Sequence, residues 1–186
     1  MCRFVTYFFL IIFSVKVFSS DSTQADLQKT KYSISLAVKY CYPGYSIAPA
    51  LEIERNNHNV VIGPVFMLSD FYVPGDITTG IQLGWRLNLR DHDERRPLVF
   101  FCTVDYQLIP YTVRLRSLNR QKINYIHDIN FGYGIKYQVT NPLAILNSVS
   151  TGLYVESYYN SFTKKHETIT GIDILIRMSI IYSFAQ

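Results

Sequence analysis

GIDILIRMSIIYSF, residues Gly171–Phe184, alternates apolar and polar positions along most of its length. One set reads Ile172, Ile174, Ile176, Met178, Ile180, Tyr182, Phe184; the other reads Gly171, Asp173, Leu175, Arg177, Ser179, Ile181, Ser183. Successive side chains of a strand point to opposite faces, so the stretch reads as a strand with one apolar face and one largely polar face. A helix needs apolar residues three and four apart, and no window of useful length in the chain has that spacing.

Working back along the chain, the same period of two recurs. Ile77, Thr79, Ile81, Leu83, Trp85, Leu87 and Leu89 alternate with Thr78, Gly80, Gln82, Gly84, Arg86 and Asn88. Ile129, Phe131, Tyr133, Ile135, Tyr137 and Val139 alternate with Asp128, Asn130, Gly132, Gly134, Lys136 and Gln138. Ile34–Tyr40 and Leu98–Leu108 follow suit. The second, third and seventh segments are less regular. The second sets Ile47, Pro49, Leu51 and Ile53 against Ala48, Ala50, Glu52 and Glu54, while 59–68 is apolar on both faces and carries Pro64. Proline removes a ladder donor, so Pro49 and Pro64 are expected to mark bulges. Eight strands result, joined at 42–45, 56–58, 69–76, 90–97, 109–124, 140–142 and 160–167. An even number of antiparallel strands can close into a barrel, which leaves no edges.

The charges decide which face is inside. One face of the clear strands is almost wholly aliphatic or aromatic. The other carries Lys39, Glu52, Glu54, Arg86, Asp105, Lys136, Glu156, Asp173 and Arg177. A soluble barrel has an apolar interior, whereas a barrel in lipid turns its apolar band outward and keeps its polar groups inside. The expected fold is therefore all-β: an eight-stranded antiparallel up-and-down transmembrane β-barrel over residues 32–184. Its interior polar network is Lys39, Glu52, Arg86, Asp105, Lys136, Glu156, Asp173 and Arg177. Ion pairs among Glu52, Arg86, Asp105, Lys136 and Arg177 are expected, because an unpaired charge in so narrow a space costs several kcal/mol. Aromatics should gather at two rims: Tyr40, Tyr42, Tyr45, Phe71, Tyr72, Tyr106, Tyr111, Tyr158 and Tyr159 at one, Trp85, Phe100, Tyr137, Tyr182 and Phe184 at the other.

The first residues have a different character. Met1–Arg3 is a short basic start, Phe4–Phe13 an apolar run, and Val17 and Ser19 supply small residues at cleavage spacing. Residues 1–19 read as a secretory signal peptide, with cleavage after Ser20 the next choice, and 20–31 as a short polar periplasmic tail. Lys16 interrupts the apolar run well short of the roughly 20 residues of a spanning helix. Removing Arg3 and Lys16 lowers the formal charge of +4 by two. Of 186 residues 48% are hydrophobic and 17% charged, which excludes a disordered chain, and the absence of a long basic run gives nucleic-acid binding no support.

The whole mature chain resembles the small eight-stranded outer-membrane β-barrel proteins of Gram-negative bacteria, the OmpA/OmpX-like superfamily. Its last strand, with Tyr182 and Phe184 two apart, resembles the C-terminal signal read by the outer-membrane insertion machinery, although Ala185 and Gln186 follow the aromatic that usually ends the chain. The resemblance implies a location in the bacterial outer membrane, with both termini in the periplasm.

Chemistry is sparse in the sequence. Ser161 and His166 share the last loop, and His127 stands beside Asp128, an arrangement a lipid-modifying rim hydrolase acting on lipid A or phospholipid would need; no GxSxG context supports it. Cys41 and Cys102 read as unpaired and are not at metal-ligand spacing. Asp91, His92, Asp93 and Glu94 are offset by Arg95 and Arg96, so no metal or cofactor is expected. The third outer loop carries Arg114, Arg116, Arg120 and Lys122 with no acid, suited to the phosphates of lipopolysaccharide and outer-membrane lipids or to an acidic protein partner. Alternation there suggests that the fifth and sixth strands extend as a hairpin. The expected role is a non-enzymatic structural or surface-interaction barrel with a closed polar interior. The alternatives are the rim hydrolase or a narrow pore.

Overall fold

The computed structural model describes residues 30–42, 44–70, 78–89, 97–115, 120–160 and 162–184, with the backbone alone at 69–70, 112–115 and 120–122. Eight strands run in sequence order: β1 (Lys31–Cys41), β2 (Gly44–Arg55), β3 (His58–Asp70), β4 (Thr78–Asn88), β5 (Leu98–Leu115), β6 (Arg120–Gln138), β7 (Leu143–Asn160) and β8 (Lys165–Ser183). Each pairs antiparallel with the next, and β8 returns to β1 to close the barrel. At that seam Ser33 Oγ donates to Ser183 Oγ at 2.9 Å. The end holding residues 30 and 184 is called the lower end below.

The alternation decides the walls. In β8, Ile172, Ile174, Ile176, Met178, Ile180 and Tyr182 are exposed, while Asp173, Leu175, Arg177, Ser179, Ile181 and Ser183 are buried. The outer surface is an almost unbroken apolar band, with Ile34, Leu36, Ile62, Ile81, Phe100 and Leu153 exposed on the other strands. No aqueous surface is built this way; hydrocarbon is the medium that this band matches.

Lower ends are level, with Leu98 opposite Tyr137, Gln138 opposite Ala144 and Leu143 opposite Tyr182. The extra length of β5–β8, 18 or 19 residues each, therefore rises at the upper end. A tilted strand crosses the hydrocarbon in about 9–11 residues, so β7 and β8 protrude well beyond it. What the sequence suggests as a long third loop is mostly the β5–β6 hairpin, paired as far as Leu115 opposite Arg120.

The prolines do not mark bulges. Ile47 faces Phe66 and Leu51 faces Ile62, an unchanged register on both sides of Pro49 and Pro64; the one irregularity of this pair lies at Tyr45/Ser46. Asn56 adopts a left-handed φ of 56° in a two-residue turn, which makes Arg55 and His58 a hydrogen-bonded pair. Counting by twos along both strands puts Pro49 opposite Pro64 at another such pair. Both are without an N–H, so these rungs cannot form and the strands carry a gap in the ladder.

Candidate functional site: the barrel interior

A lumen enclosed by eight strands has room for little besides side chains. Among the described residues, three ion pairs span it. Arg86 Nη1 stands 2.9 Å from Glu52 Oε2, and Arg177 Nη2 stands 2.5 Å from Asp105 Oδ1. Lys136 Nζ stands 3.0 Å from Glu54 Oε2, so its partner is Glu54 and not one of the acids expected to pair with it. Asn59 Nδ2 adds a 3.0 Å bond to Glu52, and Thr103 Oγ1 donates to Asp105 Oδ2 at 3.0 Å. Lys39, expected in the same network, is buried there, but its Nζ makes no hydrogen bond.

Glu156 is buried as expected, yet among the described residues it meets no base: it accepts from the hydroxyls of Tyr111 and, at 3.2 Å, of Tyr42. Those two tyrosines turn inward and do not join an outer rim. Tyr42 stacks on Tyr154 with ring centroids 4.0 Å apart. Other expected rim aromatics do face out, with Tyr40 against Tyr45 and Tyr182 against Phe184. Phe71 and Tyr72 lie outside the described residues.

The interior is less polar than the sequence leads one to expect. Ala37, Ala48, Val65, Met67, Ile109, Tyr111 and Ile126 form a buried apolar cluster on one side of the upper half. Phe101, Ala144, Leu146 and Ile181 form another near the lower end. Arg86 rests 5.8 Å from the Phe101 ring centroid, joining the lower cluster to the ion pairs.

Asp128, read from sequence as on the polar face of β6 and beside His127, belongs to the interior network that was expected without it. It is wholly buried, and both Gln107 Nε2 (3.3 Å) and Asn130 Nδ2 (2.7 Å) donate to its Oδ2. Strand parity was the signal, because Asp128 shares the inward face of β6 with Asn130 and Lys136. The same parity puts His127 on the opposite face, where its Nδ1 lies 2.9 Å from the Tyr106 hydroxyl. Asp128 therefore cannot orient His127. His166 packs edge-on against Tyr159 on the upper hairpin, and Ser161 lies outside the described residues. Cys41 faces the lumen and Cys102 the outer surface; both are free, on opposite faces of the wall.

Of the basic hairpin residues, Arg114, Arg120 and Lys122 lie on the paired backbone of β5 and β6, and Arg116 lies outside the described residues. Residues 1–19 and the expected turn cluster Asp91–Glu94 also lie outside them.

No protein-family model matches this sequence, and no curated protein does. Solved structures do resemble the fold. The N-terminal β-barrel domain of Pseudomonas aeruginosa OprF matches with a TM-score of 0.59 at 11% identity, over 84% of this chain and 98% of that one. This chain has the fold of a transmembrane outer-membrane β-barrel. Two further matches are a major outer membrane protein from Thermus thermophilus (TM-score 0.49, 13% identity, 84% and 100% covered) and Neisserial surface protein A (TM-score 0.42, 11% identity, 83% and 96% covered).

Proposed function

We propose that the protein is an integral outer-membrane barrel with a structural or surface-interaction role, closed to solutes and without catalytic activity. The observation that carries this reading is the filled lumen: three ion pairs and two apolar clusters occupy the space a solute would need. The outward end is then the raised β5–β8 wall, with the basic positions Arg114, Arg120 and Lys122 on its β5–β6 hairpin. In this reading that hairpin contacts the phosphates of lipopolysaccharide or an acidic protein partner. Tyr182 and Phe184, packed edge-to-face at 5.9 Å near the lower end, serve the insertion machinery.

Two measurements test it. Protein refolded in detergent should show a β-rich circular dichroism spectrum and a gel mobility that changes on boiling; the same spectrum in plain buffer, with no shift, would put the faces the wrong way round. In a planar lipid bilayer it should give no stable conductance steps. Regular steps would replace the closed reading with a pore.

A further inference from the structure

Cys41, Asp128 and Asp173 come from β1, β6 and β8, and their thiol and carboxylate atoms meet in the upper lumen within 4.8 Å of one another. All three are buried, with Asp128 at 0% and Asp173 at 4% exposure. Each carboxylate is held by one oxygen and bare at the other. Asp128 Oδ2 takes the two amide donors from Gln107 and Asn130, while its Oδ1 has no partner. Asp173 Oδ1 takes the backbone N–H groups of Tyr42 (2.7 Å) and Ile174 (2.8 Å), while its Oδ2 has none. Donors that fix one oxygen and leave the other free are what orient a metal ligand from behind.

Arg86, Arg177 and Lys136 are each taken up by Glu52, Asp105 and Glu54. Among the described residues, the other buried carboxylates, Asp128, Asp173 and Glu156, have one further buried base beside them, Lys39, and its Nζ bonds to none. With all three ionised, two negative charges are left over in a space where bare ions are costly, and a divalent cation bound with loss of the Cys41 thiol proton lowers that excess to one.

We propose that Cys41, Asp128 and Asp173 bind a divalent cation of the zinc class. One thiolate and two carboxylates suit a borderline-soft ion better than calcium or magnesium, which take oxygen alone. With metal–oxygen bonds of about 2.0 Å and a metal–sulfur bond of about 2.3 Å, tetrahedral ligand atoms stand roughly 3.5 Å apart, so no pair of ligand atoms has to close by more than about 1.3 Å on binding. Binding expels the Cys41 thiol proton to solvent.

The test uses folded full-length protein purified in detergent, with Cys2 and Cys102 replaced by Ser so that Cys41 is the one thiol, and Co²⁺ as the probe. The expected result is one cobalt per chain, a near-ultraviolet thiolate-to-cobalt charge-transfer band, and loss of the band on adding Zn²⁺. Asp128→Asn and Asp173→Asn should each weaken binding tenfold or more, in protein whose boiling-dependent gel shift shows it is folded. No band with stoichiometric cobalt overturns the proposal and leaves the two carboxyls sharing a proton. A band indifferent to both Asn variants also overturns it. If the variants fail to fold, the presence or absence of the band in the single-thiol protein still decides.

Discussion

Arg177 reaches across the lumen from β8 to Asp105 on β5, two strands that share no backbone pairing, and its Nη2 stands 2.5 Å from Oδ1. Both side chains are 2% exposed, so the pair is a strut inside the barrel and not a surface contact. The Nε and Nη1 of Arg177 make no hydrogen bond, which leaves the pair short of full satisfaction. Removing one partner of a buried pair costs about 3–5 kcal/mol, whereas replacing both by apolar groups is often neutral or better. Lys39 is within electrostatic reach of Asp105. Arg177→Met, which leaves Asp105 that second cation, should therefore cost less than Asp105→Asn, which leaves two cations together. Urea unfolding of lipid-reconstituted protein should show this order, with the double variant Asp105→Leu/Arg177→Met recovering most of the loss. Equal, additive losses would mean that the two side chains do not interact.

Gly152 faces the lumen where β7 meets β6, and a Cβ there would run into the carbonyl oxygen of Ile129 across the ladder. Backbone cannot step aside as a side-chain tip does. Gly152→Ala should destabilise by about 1–3 kcal/mol, the range for forcing added volume into a packed interior. The same unfolding measurement checks it, and a change near zero would show that β6 and β7 approach less closely.

The strands and their faces were legible because lipid imposes a strict rule on one face of every strand. Ile172 through Tyr182 had to be apolar together, and the charges opposite had to be inside. No such rule governs the lumen, where an apolar side chain packs as readily as a polar one is paired. Phe101, Ile109 and Leu146 therefore sit inside without announcing it. Tyr111 reads as a rim residue because aromatics near a strand end suggest a rim by position, whereas its odd number on β5, shared with Asp105 and Gln107, gives its face. Which acid Lys136 meets depends on the stagger of strands around the barrel, a property of closure that no single segment carries.

The opposed prolines of β2 and β3 make a different kind of prediction. Two ladder bonds are absent where Pro49 faces Pro64, on a wall whose outer side, with Leu36, Leu51 and Ile62, is apolar and exposed. Carbonyl groups there have no water to turn to in hydrocarbon, so restoring donors has unusual value. Pro49→Val with Pro64→Val should stabilise the barrel by about 1 kcal/mol per bond regained, less the entropy that proline removes from the unfolded chain. Amide exchange at 47–51 and 62–66 should slow. Faster exchange in the double variant would mean that the gap is held open by packing and not by the missing N–H groups.

Tyr158 and Glu167 face each other across the protruding β7–β8 hairpin, above the membrane-spanning part of both strands. Glu167 accepts from Asn160 Nδ2 (2.9 Å), Thr163 Oγ1 (2.8 Å) and the Tyr158 hydroxyl (3.0 Å), with Asn160 the largest influence, and these bonds hold its carboxyl below its ordinary 4.5. The bond to Glu167 moves Tyr158 the other way, above its ordinary 10.0. A depressed carboxyl contributes stability above its unfolded value and loses it as pH falls through the folded one; a raised phenol contributes below its unfolded value and loses it as pH rises through the folded one. Hairpin order should thus be level from pH 4.5 to 10.0 and decline outside that window. Amide exchange across 157–168 in detergent micelles, corrected for intrinsic rates, reads this directly. Glu167→Gln should abolish the acid-side step while leaving exchange in the membrane-spanning part of β7 unchanged. An acid-side step that persists in Glu167→Gln would assign it to another group and remove Glu167 as the hairpin's fastening.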